Sequence, residues 1–309
     1  MNSLIDSKFL KRKFFSLKRN IFNNNSFNGE VDYLNILQDI LENGERKSNR
    51  TGVDTLVLPT QIIQHDMALG FPLLTTKKMA KKTMMVELEG FIKGITSKKW
   101  YQDRGCRIWD GWCRPSLVPK GLSDEQRKDF QLKEDDLGPI YGAQWRNYNF
   151  QECDQLKNII NKLKTDPDDR RMVCMSWNPL VLADQALPAC HLGFIIQHIN
   201  GKLHLCWWQR SCDFFLGIPF NLASYSLLLH LISKEVGMET GTVTGCLVDS
   251  HIYENHIDAV KEQLSRNYGK YNLCHVKTKE GVSIFDWTHE DTEFVDYQSY
   301  PSIKAPVAI

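Results

Sequence analysis

Four strand-like segments follow one another over residues 172–253, and they constrain the fold more than any other feature. They read MVCMSW, HLGFIIQHI, KLHLCWWQR and GTVTGCLVDSHIY, and are rich in β-branched and aromatic residues. A helix-like segment, LASYSLLLHLISKEVG, separates the last two. Strands and helices mix without regular βαβ alternation or an internal repeat. The pattern predicts a single α+β domain with a large mixed or antiparallel sheet flanked by helices.

The overall composition excludes several classes of protein. The net charge of +1 gives no global field that would attract nucleic acid, and no apolar run is long enough to span a bilayer. The nine cysteines contain no CxxC pair, which favours reduced thiols over a disulfide framework or a zinc site. We therefore expect a cytoplasmic protein without a metal or a membrane.

The first thirty residues differ from the rest because they are basic and rich in Asn and Phe. We expect residues 1–30 to be a disordered tail and residues 31–309 to form the folded domain. The alternative for the tail is an organelle-targeting peptide, although it is Lys-rich where such peptides favour Arg.

Helical periodicity marks the segments that surround the sheet. VDYLNILQDILENG predicts a helix that ends at Gly44, and KKMAKKTMMVELEGFIKG predicts one closed by Gly94. QLKNIINKLKTDPDDRR predicts a helix that ends at its Asp-Pro, and ENHIDAVKEQLSR predicts another. LVLPTQIIQHDM predicts one strand with an edge position or bulge at its Pro. The tryptophan-rich region from Trp100 to Trp145 looks loop-like, with an exposed polar insert at 116–136.

Two residues stand out as candidates for chemistry. Glu87 falls on the apolar side of its helix near Met84 and Phe91, where a carboxylate is costly without a role or partner. Cys190 adjoins His191 in LPACH, but neighbours on a strand point to opposite faces, so His191 is a poor base for it. Cys190 is either a buried structural thiol or a nucleophile with a nearby cation that lowers its pKa.

Four arginines from separate segments could neutralise a phosphate dianion. They are Arg50, Arg170, Arg171 and Arg210, the last followed by Ser211 in a pattern suited to phosphate. No glycine-rich Walker loop is present, so side chains would hold the phosphate. Each arginine alone is more often a surface charge.

Two aromatic motifs suggest contacts with a nucleoside or a flat ring. His251 and Tyr253 lie on one face of a strand and could donate to a sugar hydroxyl, although both residue types are commonly core. Trp109 and Trp112 flank Asp110 and could stack on a heterocycle or pack in the core.

Nine motifs, in this order, resemble the thymidylate synthase family over residues 31–309. They are RTGVDT, FPLLTTKK, IWDGW, DLGPIYGAQWR, DPDDRRM, LPACH, QRSCDFFLGIPFNLASY, DSHIYENH and KAPVAI. The resemblance implies a homodimer formed through the sheet. It also implies reductive methylation of dUMP to dTMP, with 5,10-methylenetetrahydrofolate as one-carbon and hydride donor.

The resemblance also implies site residues. Cys190 would attack carbon 6 of the uracil, Glu87 would organise water for proton transfers, and Tyr141 would assist removal of the carbon 5 proton. Arg210, Asp213 and Asn221 complete the implied catalytic set. The implied dUMP contacts are Arg50, Gln209, Arg210, Ser211, Asp213, Asn221, His251 and Tyr253, with Arg170 and Arg171 from the partner subunit. The implied folate contacts are Lys77, Ile108, Trp109, Trp112, Asp213, Gly217, Phe220 and Ala308.

Asn221 favours a uracil base because an amide matches the uracil carbonyl and ring N–H, whereas an Asp would suit cytosine. The chain departs from the family pattern at Ala80, Glu89, Gly90, Ala189, Trp207, Trp208 and Val248. The alternatives are a dUMP hydroxymethylase, in which water replaces hydride, and a non-catalytic nucleotide or RNA binder. A cysteine hydrolase would lack a base on the same face as Cys190 and would leave the arginines unexplained.

Overall fold

The predicted mixed sheet is present, with seven strands, in a computed structural model that describes residues 27–306. Residues 1–26 of the predicted tail, and residues 307–309 with Ala308, lie outside the described residues. The strands are β1 (Glu45–Lys47), β2 (Thr55–Leu58), β3 (Gln61–Asp66), β4 (Val173–Met175), β5 (His191–Ile199), β6 (Lys202–Asp213), β7 (Glu239–Tyr253), β8 (His275–Thr278) and β9 (Thr292–Val295). Strands β8 and β9 form a separate antiparallel pair near the end of the described chain.

The strand order in the main sheet is β1-β2-β7-β6-β5-β4, with β3 also paired to β7. Strands β6 and β7 are parallel, and the other neighbours in this sheet are antiparallel. The helices are α1 (Gly29–Asn43), α2 (Lys81–Lys93), α3 (Lys98–Asp103), α4 (Asp124–Lys133), α5 (Tyr141–Arg146), α6 (Gln155–Thr165), α7 (Gly217–Val236) and α8 (Ile257–Leu264).

Helix α7 connects the two parallel strands and forms the centre of the fold. It is apolar on most sides and packs against β6 and β7 on one flank and against α2 and α6 on the other. Burial alternates along β6 accordingly. Leu205 and Trp207 are buried, and Cys206 and Trp208 are half-buried on the opposite face. The helices therefore cover one face of the sheet more completely than the other.

The prediction of a single strand over LVLPTQIIQHDM was wrong in one respect, because the segment forms two strands. Leu58 of β2 pairs with Ser250, and Gln61 of β3 pairs with Leu247, so pairing with β7 is interrupted at Pro59. Proline has no backbone N–H to donate to a ladder, which explains the break. The irregularity that the proline predicted is therefore present.

The tryptophan-rich region is more regular than predicted, since it contains α3, α4 and α5. Helix α4 lies in the polar insert and begins with a capping box between Ser123 and Gln126. Lys98 is buried, and its ammonium donates to the carbonyls of Trp112 and Gln131. This contact fixes the insert to the IWDGW segment.

Helix α2 matches its prediction and carries two of the departures from the family pattern. It ends at Gly94, which has a positive φ of 73°. Glu89 is buried and accepts from the backbone N–H of His289 at 2.9 Å and from Lys93 Nζ at 3.0 Å. Glu89 therefore ties α2 to the turn that precedes β9. Within residues 27–306, no helix is both long and apolar enough to cross a membrane.

Candidate active site

Cys190 lies immediately before β5 and is fixed through its backbone. Its N–H donates to Tyr141 Oη at 2.7 Å, and its carbonyl accepts from the N–H of Arg210 at 2.9 Å. Tyr141 is the first residue of α5, and Arg210 lies on β6. Three elements that are distant in sequence thus hold the thiol in place.

The cation that a nucleophilic Cys190 needs is present. Arg210 donates from Nε to the Ala189 carbonyl at 2.9 Å and from Nη2 to the Pro188 carbonyl at 2.8 Å. Its Nη2 lies 4.0 Å from Cys190 Sγ, and its guanidinium lies over the Trp177 ring. Burial raises the pKa of the Cys190 thiol, and the Arg210 charge is the largest effect that lowers it. Arg210 therefore favours the thiolate without overcoming the effect of burial.

His191 is not a base for Cys190, as the strand geometry predicted. Its ring is buried against Tyr141 and Tyr225, at centroid distances of 5.0 and 5.5 Å. Desolvation lowers the pKa of His191 to about 4, so the imidazole is neutral at pH 7. Within residues 27–306, no histidine nitrogen lies within hydrogen-bond distance of Cys190 Sγ.

Glu87 is half-buried on α2 beside an aromatic cluster. Desolvation raises the pKa of the Glu87 carboxyl to about 7, and a contact from the Trp109 side chain opposes that shift. Tyr141 packs on Phe91 at 4.9 Å and on Trp109 at 6.3 Å between ring centroids. Tyr141 therefore lies between the cysteine and the helix that carries the carboxylate.

The turn from β6 into α7 brings Asp213, Gly217 and Asn221 together. Asp213 Oδ1 accepts from the backbone N–H groups of Phe215 and Leu216, each at 3.0 Å, which orders the turn. A Cβ added at Gly217 would lie 3.5 Å from Asp213 Cβ and 3.8 Å from Asn221 Oδ1. Glycine therefore leaves open the space that a larger residue would fill.

The Asn221 amide is held by a chain of hydrogen bonds. Gln209 Nε2 donates to Asn221 Oδ1 at 3.0 Å and to the Ser211 carbonyl at 2.9 Å. Gln209 Oε1 in turn accepts from Trp207 Nε1 at 3.2 Å. Sequence reasoning marked Trp207 only as a departure from the family, although strand alternation places it on the same face as Gln209.

His251 and Tyr253 lie two residues apart on a strand, as predicted, and their rings are in contact at the end of β7. Their rings lie 5.2 Å apart at 87°, and His251 Nδ1 lies 2.9 Å from Asp249 Oδ1. Burial raises the pKa of Tyr253, and the nearby Asp213 carboxylate adds to this shift whereas Arg50 opposes it. Tyr253 is therefore close to the Asp213 carboxylate at the end of β6 and to the Arg50 guanidinium.

The structure separates the four predicted phosphate arginines into two groups. Arg50 lies 5.9 Å from the Trp112 ring centroid and is close enough to influence the pKa of Cys190, as Arg210 does. Arg170 and Arg171 are exposed between α6 and β4, and Arg171 Nε pairs with Asp169 at 2.9 Å. Among the described residues, no hydrogen bond, ion pair or ring contact joins these two arginines to the cleft.

The residues assigned to folate differ in exposure. Trp109 is buried, Trp112 and Phe220 are half-buried, and Ile108 is exposed. Lys77 is buried, with its ammonium on the Phe215 carbonyl and 3.7 Å from the Phe215 ring centroid. Desolvation lowers the pKa of Lys77 to about 7, so its ammonium group loses a proton near neutral pH.

This cleft combines a thiol beside a guanidinium, a carboxyl that titrates near neutral pH, and amide and hydroxyl groups. Such a set can add a sulfur nucleophile to an electron-poor ring and move protons nearby. All nine cysteines of the chain lie in the described residues, and none is disulfide-bonded. The described residues contain no cluster of three side chains suited to a metal ion.

Comparison with known proteins gives a consistent result. A family model described as thymidylate synthase matches residues 31–309. The chain is also similar to the bifunctional dihydrofolate reductase-thymidylate synthase of Paramecium tetraurelia, with 40% identity over 292 residues. That match covers 91% of this chain and 61% of the relative, so the chain spans about three fifths of the relative's length.

Proposed function

Because this chain belongs to the thymidylate synthase family, we propose that it methylates dUMP to dTMP, with 5,10-methylenetetrahydrofolate as one-carbon and hydride donor. The observation that carries the proposal is the Cys190 thiol, 4.0 Å from the Arg210 guanidinium and without an imidazole partner in residues 27–306. A cysteine hydrolase needs a base at the thiol. Conjugate addition needs instead a stabilised thiolate and an electron-poor ring.

The proposed reaction begins and ends at the Cys190 sulfur. Cys190 adds through sulfur to carbon 6 of the uracil, and the electron pair of the ring double bond makes carbon 5 nucleophilic. Carbon 5 forms a bond to the methylene carbon of the folate as the bond from that carbon to folate N10 breaks and N10 takes up a proton. Carbon 5 then loses its own proton to an ordered water. Elimination of tetrahydrofolate breaks the bond from the methylene carbon to N5 and leaves an exocyclic methylene group. This group accepts a hydride from tetrahydrofolate and becomes the methyl group, and the oxidised folate loses a proton to give dihydrofolate. The Cys190 thiolate is then expelled, and the ring double bond returns.

Proton transfers in this scheme fall to Glu87 and Tyr141. A general acid or base is most effective when its pKa lies near the working pH, and burial sets the pKa of Glu87 to about 7. Tyr141 Oη accepts from the Cys190 N–H, and burial raises the pKa of its phenol, so Tyr141 keeps its proton and acts as a hydrogen-bonding hydroxyl. We assign Glu87 to the ordered water that takes part in proton transfers, and Tyr141 to assisting removal of the carbon 5 proton.

Substrate binding uses the groups around these two residues. Arg50, Arg210 and Ser211 hold the phosphate, and His251 and Tyr253 hold the ribose hydroxyl. Asn221 reads the uracil edge. Trp109, Trp112, Gly217 and Phe220 line the folate site, with Lys77, Ile108, Asp213 and Ala308.

We further propose a homodimer in which Arg170 and Arg171 of the partner subunit complete the phosphate site. Both side chains are exposed, and no described hydrogen bond, ion pair or ring contact joins them to the cleft of their own subunit, which supports this assignment. The less covered face of the sheet, with Trp208 and the 47% exposed Val248, is the surface that the dimer would bury.

Mass spectrometry of the nucleotide product tests the reaction directly. The chain is incubated with dUMP and methylenetetrahydrofolate, and dihydrofolate is followed in the same sample. We expect a methylated nucleotide and an equal amount of dihydrofolate. A hydroxymethyl product with tetrahydrofolate would show that water reaches the intermediate, and binding of dUMP without any product would show a non-catalytic relative.

A further inference from the structure

Trp207 lies at the start of the hydrogen-bond chain that ends at Asn221, and it is entirely buried. Its indole stacks on Tyr225, with centroids 5.0 Å apart and planes 14° from parallel. Gly245 of β7 makes room for it, because a Cβ at that position would overlap the Trp207 ring. The tryptophan is thus held in one orientation from two sides.

A fixed indole determines the orientation of the Gln209 amide. The indole N–H only donates, so the Gln209 atom that faces it at 3.2 Å is the oxygen Oε1. The NH₂ group is then directed at two acceptors, the Ser211 carbonyl and Asn221 Oδ1. A reversed Gln209 would place donor against donor at Trp207 and acceptor against acceptor at Ser211.

The Gln209 amide in turn determines the orientation of the Asn221 amide. Because Gln209 Nε2 donates to Asn221 Oδ1 at 3.0 Å, a reversed Asn221 would place its NH₂ group against that of Gln209. The NH₂ group of Asn221 is therefore turned away from Gln209 and left for a ligand, while Oδ1 has a second lone pair beyond the one that Gln209 occupies. The His191 side chain also hydrogen-bonds Asn221. Asn221 and Tyr225 also lie one turn apart on α7, so the Trp207–Tyr225 stack supports the helix directly beneath Asn221.

We propose that Trp207 is a positioning residue for base selection, which fixes Asn221 through Gln209 in the orientation that accepts uracil and rejects cytosine. Uracil presents a carbonyl acceptor at carbon 4, which suits an NH₂ donor, whereas cytosine presents an amino donor there. The inference rests on the proposed function. It assigns to this tryptophan a role in selectivity, beyond filling the core.

The test compares Trp207→Phe with Trp208→Phe in the full chain. Phenylalanine keeps a ring that can stack on Tyr225 but lacks the N–H, and Trp208 is the neighbouring tryptophan on the opposite face of β6. The dissociation constants of dUMP and dCMP are measured by titration calorimetry, or by competition where dCMP binds weakly. Thermal unfolding checks that each variant folds.

We expect Trp207→Phe to weaken dUMP binding by about three- to tenfold while dCMP binding stays constant or tightens, as fits the loss of one neutral hydrogen bond. Trp208→Phe should leave the dUMP to dCMP ratio unchanged. A parallel loss for both nucleotides, or an unchanged ratio in Trp207→Phe, would overturn the inference. If the wild-type chain fails to bind dUMP at all, the proposed function fails instead.

Gln209→Glu provides a second route if Trp207→Phe does not fold. A glutamate still accepts from the indole but cannot donate to Asn221 Oδ1, so the same loss of selectivity is expected. Retained preference for dUMP in Gln209→Glu would show that Asn221 does not depend on the chain of hydrogen bonds.

Discussion

Arg210 and burial in the protein interior have opposite effects on the pKa of the Cys190 thiol. Burial has the larger effect, so the pKa of the thiol is raised although Nη2 of the guanidinium lies 4.0 Å from its sulfur. The arginine side chain is held mainly by the backbone carbonyls of Pro188 and Ala189. These two bonds hold the guanidinium beside the sulfur.

Replacing Cys190 by alanine should separate binding from chemistry. We expect Cys190→Ala to lower turnover by at least about a thousandfold, because no covalent adduct with dUMP can form. Its affinity for dUMP should stay within a few-fold of wild type, since Arg210, Asn221 and His251 remain. Cys153→Ala, which removes an exposed thiol, is the matched control. Steady-state turnover near the wild-type rate in Cys190→Ala would remove this residue from the mechanism.

The raised pKa of Glu87 makes a prediction about stability. Between its unfolded value of 4.5 and its folded value of about 7, the folded chain holds a proton that the unfolded chain has released. The contribution of Glu87 to the free energy of unfolding therefore falls as pH rises through this window, and Glu87→Gln should remove that fall. The stability of the variant relative to wild type should increase by about 2 kcal/mol from pH 4.5 to pH 7.

Urea unfolding across that pH range measures the difference. The exposed Glu125 on α4 supplies the control variant Glu125→Gln, which should follow the wild-type profile. Profiles of Glu87→Gln and wild type that remain parallel would show that the Glu87 carboxyl titrates normally.

Single residues also show what sequence reasoning can find. Glu87 stood out because a carboxylate on an apolar helix face is anomalous in a single sequence. The residues around Cys190 left it either a structural thiol or a nucleophile, and only the resemblance to the family assigned it the nucleophile role. The role of Trp207 could not be found in this way. Its link to Asn221 depends on side-chain directions across β6 and α7, and those are fixed only when the two elements pack.

At the scale of elements, local signals predicted most helices and strands correctly. The glycine after α2 and the Asp-Pro after α6 ended their helices as expected. Helix α4 was missed although Ser123 and Gln126 form a capping box, because the segment lacks an apolar face. The pairing of both β2 and β3 with β7 could not be predicted, since register is set by the partner strand.

Helix α2 supplies a prediction about its departure from the family at Gly90. Alanine normally favours a helix over glycine by about 1 kcal/mol, but a Cβ at Gly90 would overlap the buried Tyr101 ring. We expect Gly90→Ala to lower the free energy of unfolding by about 1–3 kcal/mol, the usual cost of overpacking. The close approach of the Tyr101 ring to Gly90 explains why α2 has a glycine near its C-terminal end.

A double-mutant cycle isolates that contact. Once Tyr101→Ala has removed the ring, Gly90→Ala should become neutral or stabilising, and chemical denaturation of the four proteins measures the coupling. Equal effects of Gly90→Ala in both backgrounds would show that the ring moves aside without cost.

For the whole molecule, the arrangement of the arginines predicts that one active site needs two chains. Arg170 and Arg171 are exposed at the turn between α6 and β4, and no described contact brings them to the cleft of their own subunit. If they serve the partner, Cys190→Ala damages its own site, whereas Arg170→Ala/Arg171→Ala damages the neighbouring one. Each homodimer should then be nearly inactive, because phosphate binding and the nucleophile are both required.

The heterodimer of these two variants decides the question. One of its sites carries both lesions and the other carries neither, so a purified heterodimer should show about half the turnover of wild type. Co-expression with two affinity tags gives that species, and light scattering confirms its mass. If the arginines act within their own chain, both sites of the heterodimer carry a lesion. An inactive heterodimer would therefore reject the shared site even if the protein is dimeric.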